Sequence, residues 1–296
     1  MASENFSIAA ADDSKHGFSR PELYKENLAG TADAYDRHVF VCYKNRQVWP
    51  SNVETSDLDP LPKLLATTVK SRKNDITIKT KITVCEAREE AGFLDGDVLL
   101  FREMIKYRGL TVSNIDSFVE DVMANGKPWS AGVRDEMAGS YVFVCSHASR
   151  DVRCGVCGPA LIGKFNEEIE LRGLKDQVFV WACSHLGGHK YAGNVIIYCP
   201  GSDGKIMGHW EALMYGYVTP NDVPEFLDHH IAKGEVIQRL LRCQMGQSVK
   251  EVKGTDGQKV PSEEPMDKGK NQNVGGCCQG ANGVSCCMNP PSSDKN

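Results

Sequence analysis

An internal repeat constrains this chain more than any other feature. HVFVCYKNRQ at 38–47 parallels YVFVCSHASR at 141–150, and DGDVLLF at 95–101 parallels AGNVIIY at 192–198. YRGLTVSNIDSFVEDVMANGK at 107–127 then parallels YGYVTPNDVPEFLDHHIAKGE at 215–235. Three matches in the same order mean one supersecondary unit used twice, and each copy must bury an apolar face against something.

The copies read as strand, helix, strand, antiparallel pair and final helix, which is the order of a thioredoxin-like fold. In the second copy these are YVFVCS, a helix over roughly 158–172, QVFVWACS, NVIIYCP turning at GSDG into KIMGHW, and the helix DVPEFLDHHIAKG. The GSDG turn lies between two β-rich runs, as a hairpin requires. Thr219 or Asn221 can cap the last helix, Pro220 and Pro224 suit its first turn, and Val223, Phe226, Leu227 and Ile231 share one face. The expectation is an α/β chain of two thioredoxin-like halves with mixed sheets flanked by helices. Its parts are an irregular leader at 1–35, a degenerate half at 36–135, a half carrying the chemistry at 136–246, and a tail at 247–296. That tail is rich in Lys, Glu, Gly and Pro and poor in apolar side chains, which predicts disorder.

The second half concentrates the reactive side chains. Its first strand runs into CSHASRDVRCGVCG, which places Cys145, Cys154 and Cys157 in one segment. Its next strand runs into CSHLGGHKYAG, with His185 and His189 separated by Leu-Gly-Gly. In a thioredoxin-like fold these two strand ends are neighbours, so thiols and imidazoles from separate loops converge. Cys and His together suit iron–sulfur chemistry or zinc. Gly155 and Gly158 bracket Cys157, while Gly187 and Gly188 allow a bend between the two histidines. Arg150, Arg153 and Lys190 are close enough in sequence to offset a cluster's charge or to be plain solvated charges. The matching segment of the first half, VCEAREEAGFLDG, has no histidine, and Cys42 is not followed by further cysteines. The repeat thus keeps the apolar pattern but not the candidate ligands, which makes the first half a structural or docking partner.

VFVCSHASRDVRCGVCGPALI, ACSHLGGHKYAGNVIIY and YGYVTPNDVPEFLDHHI resemble the sucrase/ferredoxin-like proteins of plants and fungi, thioredoxin-like ferredoxins, over about residues 35–245. The resemblance implies a 2Fe–2S cluster, with Cys145 and Cys154 on one iron and His185 and His189 in place of the C-x3-C pair of other thioredoxin-like ferredoxins. In the family Gly-His-Trp leads directly into Tyr-Gly-Tyr. Here Glu211 to Met214 intervene, either looped out or within the last strand. No carboxylate spacing supports a glycosidase pair, so sucrase activity is not expected.

Two imidazoles in place of two thiolates predict a potential above the roughly −400 mV of plant-type ferredoxins and uptake of a proton with the electron. The function expected is that of an intracellular electron carrier served by a separate reductase or acceptor protein, because the chain has no dinucleotide-binding glycine motif. Two other readings stay open. Cys154 and Cys157 form a CxxC pair where thioredoxins keep their redox dithiol, and a structural zinc site could use the same side chains in an interaction module. Cys183, Cys199, Cys243, His229 and His230 read as packing residues, and His147 as a structural neighbour of the site.

A formal charge of −5 argues against nucleic acid as partner. Twelve cysteines without a secretory signal favour metal or redox chemistry in the cytoplasm or nucleus over a disulfide framework. Cys277, Cys278, Cys286 and Cys287 close the sequence as two adjacent pairs of unassigned role.

Overall fold

A computed structural model describes residues 13–57, 60–200 and 210–245. The described residues form one compact unit; residues from 246 onward, with the four cysteines of the tail, lie outside them.

Five strands come from each copy of the repeat. The first contributes β1 (Arg37–Cys42), β2 (Thr80–Cys85), β3 (Val98–Phe101), β4 (Ile105–Arg108) and β5 (Val133–Glu136). The second contributes β6 (Ser140–Cys145), β7 (Val178–Cys183), β8 (Val195–Pro200), β9 (Trp210–Tyr215) and β10 (Leu241–Gln244). Their order is β10-β9-β8-β6-β7-β2-β1-β3-β4-β5. Within each half the first two strands are parallel and in register, Arg37 opposite Thr80 through Cys42 opposite Cys85, and Ser140 opposite Val178 through Cys145 opposite Cys183. The remaining strands add antiparallel. Strand–helix–strand with a parallel pair, then an antiparallel pair and a helix, is the expected thioredoxin-like order, twice.

The halves join through a single antiparallel pairing, Cys85 opposite Cys183. Backbone bonds from Glu86 N to Ala182 O (3.0 Å) and from Ser184 N to Val84 O (2.7 Å) flank it. Three strand steps separate β1 from β6, which in a flat sheet is about 14 Å. Yet the Phe40 ring of β1 stacks on the Phe143 ring of β6 at 3.8 Å, and Phe101 of β3 on Tyr198 of β8 at 4.1 Å. The sheet therefore folds at the β2/β7 seam and presses its two halves face to face. The shared inner face holds Phe40, Phe101, Phe143, Trp181 and Tyr198. His38 is buried there, with Nδ1 2.7 Å from Tyr198 Oη and Nε2 2.7 Å from Thr83 Oγ1.

Helices cover both outer faces. Helix α1 (Pro60–Ser71) and the short α2 (Ile115–Phe118) pack Leu65, Ile115 and Phe118 on Val39, Val41 and Val84. Helix α3 (Val152–Leu171) and the turn α4 (Val223–Glu225) pack Leu161, Phe165, Val223 and Phe226 on Val142, Val144 and Val180. With both faces buried, a strand reads as the unbroken apolar run seen in HVFVC and YVFVC. Both final helices continue as wide π-type turns, Val119–Ala124 and Phe226–Ile231, and both begin with a capping box, Thr111 with Asn114 and Thr219 with Asp222. Val223, Phe226 and Leu227 are buried as expected, and so is His230.

Three expectations change. Helix α3 begins at Val152 and not near 158, because Asp151 caps it by accepting from Arg153 N. Its glycines Gly155 and Gly158 let it lie flush on the preceding loop. A Cβ at Gly155 would stand 2.5 Å from Ala148 Cβ, and one at Gly158 2.2 Å from Ser146 Oγ. The described strand beside β8 is Trp210–Tyr215, so Glu211 to Met214 are strand residues paired with Cys199 to Ile196, while residues 205–209 of KIMGHW lie outside the described residues. Leu213 faces the outer helices and Met214 the inner face, the alternation a strand needs. The GSDG turn lies outside the described residues. Finally, β5 and β10 add a fifth strand to each half; β5 is short, polar and mostly exposed, so it carries no apolar pattern.

Burial pushes the pKa of His230 down to about 4. The unfolded chain takes up this proton near pH 6.5 and the folded one refuses it, so stability complete above pH 6.5 is lost as pH falls toward 4, by about 3 kcal/mol. His38, held well below its ordinary pKa by burial, acts in the same direction. Urea unfolding of His230→Gln should show a flatter acid limb than the parent. Phe40→Ala should lose about 3–5 kcal/mol in the same assay, whereas Val48→Ala, at a position 61% exposed, stays within about 0.5 kcal/mol.

Candidate metal centre

The candidate site forms where β6 and β7 end, side by side, in Cys145 and Cys183. The loop after β6 leads into α3, whose first turn carries Cys154; the loop after β7 carries His185 and His189. Cys145, Cys154 and Cys157 are all buried, His185 is partly buried and His189 is exposed. The site therefore has a dry thiol side and a solvent-facing imidazole side.

Backbone geometry between the histidines is set by Gly187 (φ +99°) and Gly188 (φ +69°), conformations that favour glycine. Three successive carbonyls of this loop are tied down. Lys81 Nζ donates to Leu186 O, Arg242 Nη1 to Gly187 O (2.9 Å), and Asn194 Nδ2 to Gly188 O (3.0 Å). Asn194 O in turn accepts from Cys145 N (3.0 Å), which joins the two ligand loops.

The side chains come together as two pairs. Cys145 and Cys154 are in hydrogen-bonding contact, and that contact, helped by the His185 ring and the Leu186 backbone, holds the Cys145 thiol well below its ordinary pKa despite burial. The same contact and burial push Cys154 strongly up. One proton leaves this pair readily and the second does not, unless a cation replaces it. The His185 and His189 rings lie 5.4 Å apart, and His185 Nδ1 is buried without a hydrogen-bond partner. Among the described residues no three His, Cys, Asp or Glu side chains are grouped around a common point for a single ion. The orphaned His185 nitrogen and the contacting Cys145 and Cys154 thiols, with His185 also beside Cys145, form a donor set that suits a group bound by thiolate and imidazole.

The family model for sucrase/ferredoxin-like proteins matches residues 28–243. The chain belongs to the sucrase/ferredoxin-like family. Altered inheritance of mitochondria protein 32 of Debaryomyces hansenii is 29% identical over 257 residues, covering 75% of this chain and 87% of that protein. The protein of the same name from Meyerozyma guilliermondii is 37% identical over 103 residues, 35% of this chain and 34% of its own length. A solved thioredoxin-like 2Fe–2S ferredoxin from Aquifex aeolicus aligns at 21% identity over 36% of this chain and 93% of its own, with a TM-score of 0.28.

In this member of the family the first half walls the site. His147 Nε2 donates to Pro50 O (2.9 Å), with its ring edge-on to Trp49, and Ser149 Oγ donates to Trp49 O (2.6 Å). His147 thus bridges the halves. Cys42 and Cys85 occupy the places of Cys145 and Cys183, with sulfurs 3.7 Å apart, so four cysteines run in a row across the seam. The segment from residue 13 to 35, part of the expected irregular leader, packs onto the second half. Its buried Arg20 donates to Cys157 Sγ (3.4 Å) and Ala192 O (2.8 Å). The CxxC thiols therefore face different partners, Cys154 toward Cys145 and Cys157 toward Arg20, and both are buried where a redox dithiol needs access.

The cations that sequence proximity nominated are engaged elsewhere. Arg150 bonds Asn52, Arg153 pairs with Asp151 (2.9 Å) and Lys190 with Glu26 (2.9 Å). The cations at the loop are Lys81 and Arg242, both distant in sequence. A single Arg inside the apolar run LLRC was the available signal for Arg242.

A Cβ at Gly188 would stand 2.4 Å from Arg242 Nη2. Gly188→Ala should lower apo-protein stability by about 1–3 kcal/mol. Gly163→Ala, in helix α3 with open space around it, should raise it by about 0.5–1 kcal/mol. Thermal melting of the two variants side by side checks both.

Proposed function

We propose that this chain is an electron-transfer protein carrying a 2Fe–2S cluster on Cys145, Cys154, His185 and His189. The observation that carries the reading is the donor arrangement: two buried thiols in hydrogen-bonding contact beside two imidazoles 5.4 Å apart, one with an unsatisfied buried nitrogen. Bound there, the cluster would supply one-electron chemistry. The chain's own residues do the rest. Burial of Cys145 and Cys154 keeps water from the sulfur ligands, and exposed His189 brings the redox edge to the surface, where a reductase or acceptor protein can approach.

Neutral imidazoles in place of two thiolates make the site less negative, so the potential should lie above about −400 mV and fall as pH rises while an imidazole nitrogen exchanges its proton. A stand-alone enzyme activity is not part of this reading. All eight described cysteines are free, which suits a reducing compartment. The relatives' names set mitochondria beside the cytoplasm as its location. No helix of the described residues is long and apolar enough to cross a membrane.

The test is a visible absorption and EPR spectrum of anaerobically purified protein beside His185→Cys and His189→Cys. A red-brown protein whose reduced signal shifts in both variants is the expected result. Protein that stays colourless after iron and sulfide reconstitution would sink the reading and turn attention to zinc content.

A further inference from the structure

Two cations at the histidine loop, the buried Arg242 and the half-buried Lys81, have no carboxylate partner among the described residues. Arg242 is buried, and its guanidinium donates to Gly187 O (2.9 Å), Asn194 Oδ1 (2.7 Å), Thr31 Oγ1 (3.0 Å) and Thr31 O (2.7 Å). Lys81 Nζ donates to Leu186 O and lies 5.6 Å from the Tyr35 ring centroid. Neither forms an ion pair among the described residues, although most other Arg and Lys side chains near the site do. Tyr191, whose ring is 4.5 Å from the guanidinium, offsets part of the cost of burying Arg242.

The fold makes a specific provision for Arg242. The pairing of β10 with β9 shifts between Leu241 and Cys243, a β-bulge that turns the intervening Arg242 inward. In the first half, Arg134 lies in regular register opposite Tyr107 on β5 and is exposed. Gly188 and Gly216 clear the space: a Cβ on either would stand 2.4 or 2.6 Å from the Arg242 side chain. Lys81 comes from the other half, at the place that Phe179 fills in β7.

Neutral amide donors could hold these carbonyls without the penalty of burying charge. Positive charge becomes useful where negative charge develops. Two thiolates and two neutral imidazoles leave an oxidised 2Fe–2S cluster without net charge, and reduction adds one negative charge. We propose that Lys81 and Arg242 are positioning residues that fix the His185–His189 loop and stabilise the reduced state of the cluster bound there. This rests on the cluster reading above. The anionic or potentially anionic groups facing them are Glu54, Cys145 and Cys183 for Lys81, and Cys145, Cys243, Tyr191 and Tyr217 for Arg242. The first half, which has none of the ligands, would thereby set the potential of a site in the second.

The measurements are the midpoint potential of reconstituted protein by voltammetry at fixed pH, and amide hydrogen exchange of residues 186–190 in apo protein. Lys81→Gln and Arg242→Gln should both lower the potential with the cluster spectrum intact. Lys190→Gln, which removes an exposed cation next to His189, should leave it near the parent value. Arg242→Lys should keep the potential but speed exchange in the loop, separating charge from hydrogen bonding. Should Arg242→Gln fail to fold, Lys81→Gln and Arg242→Lys carry the comparison. Potentials indifferent to both Gln variants, with loop exchange unchanged, overturn the proposal. A parent protein that takes up no cluster refutes the functional reading and the redox role with it, while the exchange data still decide whether these cations hold the loop.

Discussion

The face-to-face packing of two half-sheets about the Cys85–Cys183 seam is the contact on which the rest of this structure depends. One strand pairing joins the halves, so the energy that holds them together comes from the inner face: Phe40 on Phe143, Phe101 on Tyr198, and the buried His38 network between them. Aromatic stacking over so much buried surface is worth several kcal/mol per ring. It also determines where every loop at the strand ends can go. Because β2 and β7 meet at their carboxyl ends, the segment from Trp49 to Glu54 is brought against the loop after Cys145, and Lys81 reaches the loop after Cys183.

The two copies of the repeat keep one topology, and several of their departures in local geometry lie at the site. Both keep the parallel strand pair, the capping box and the wide final turn. The second copy alone has the cysteine-bearing helix start, the glycine bend between histidines and the bulge at Arg242. Each departs from regular geometry and each places a group at the strand ends. The regular parts build a scaffold rigid enough for the irregular parts to be held.

Much of this was legible in the chain. The two apolar runs ending in Cys42 and Cys145 gave the first strands, and the repeat gave the order of elements, because periodicity and burial are local properties. That Cys145, Cys154, His185 and His189 converge was legible because they follow or close two strands that a thioredoxin-like order sets side by side. Other features were hidden because they depend on contacts between distant residues. Nothing local in VRDE marks β5 as a strand, since edge pairing needs only backbone. The glycines of RCGVCGP show their use only once the neighbouring Ala148 and Ser146 are in place. Lys81 and Arg242 are 161 positions apart in the numbering and meet only at the loop, while the nearby Arg150, Arg153 and Lys190 turn toward Asn52, Asp151 and Glu26.

The single seam between β2 and β7 has a consequence for how the site is assembled. Two identical subunits meeting through such a seam would separate on dilution, and both would carry the same residues. Covalent linkage makes the encounter intramolecular, so the walls supplied by Trp49, Pro50 and Lys81 stay in place at any protein concentration. It also frees the copies from identity. One could give up its ligands and become the environment of the other, as no symmetric pair of identical subunits can.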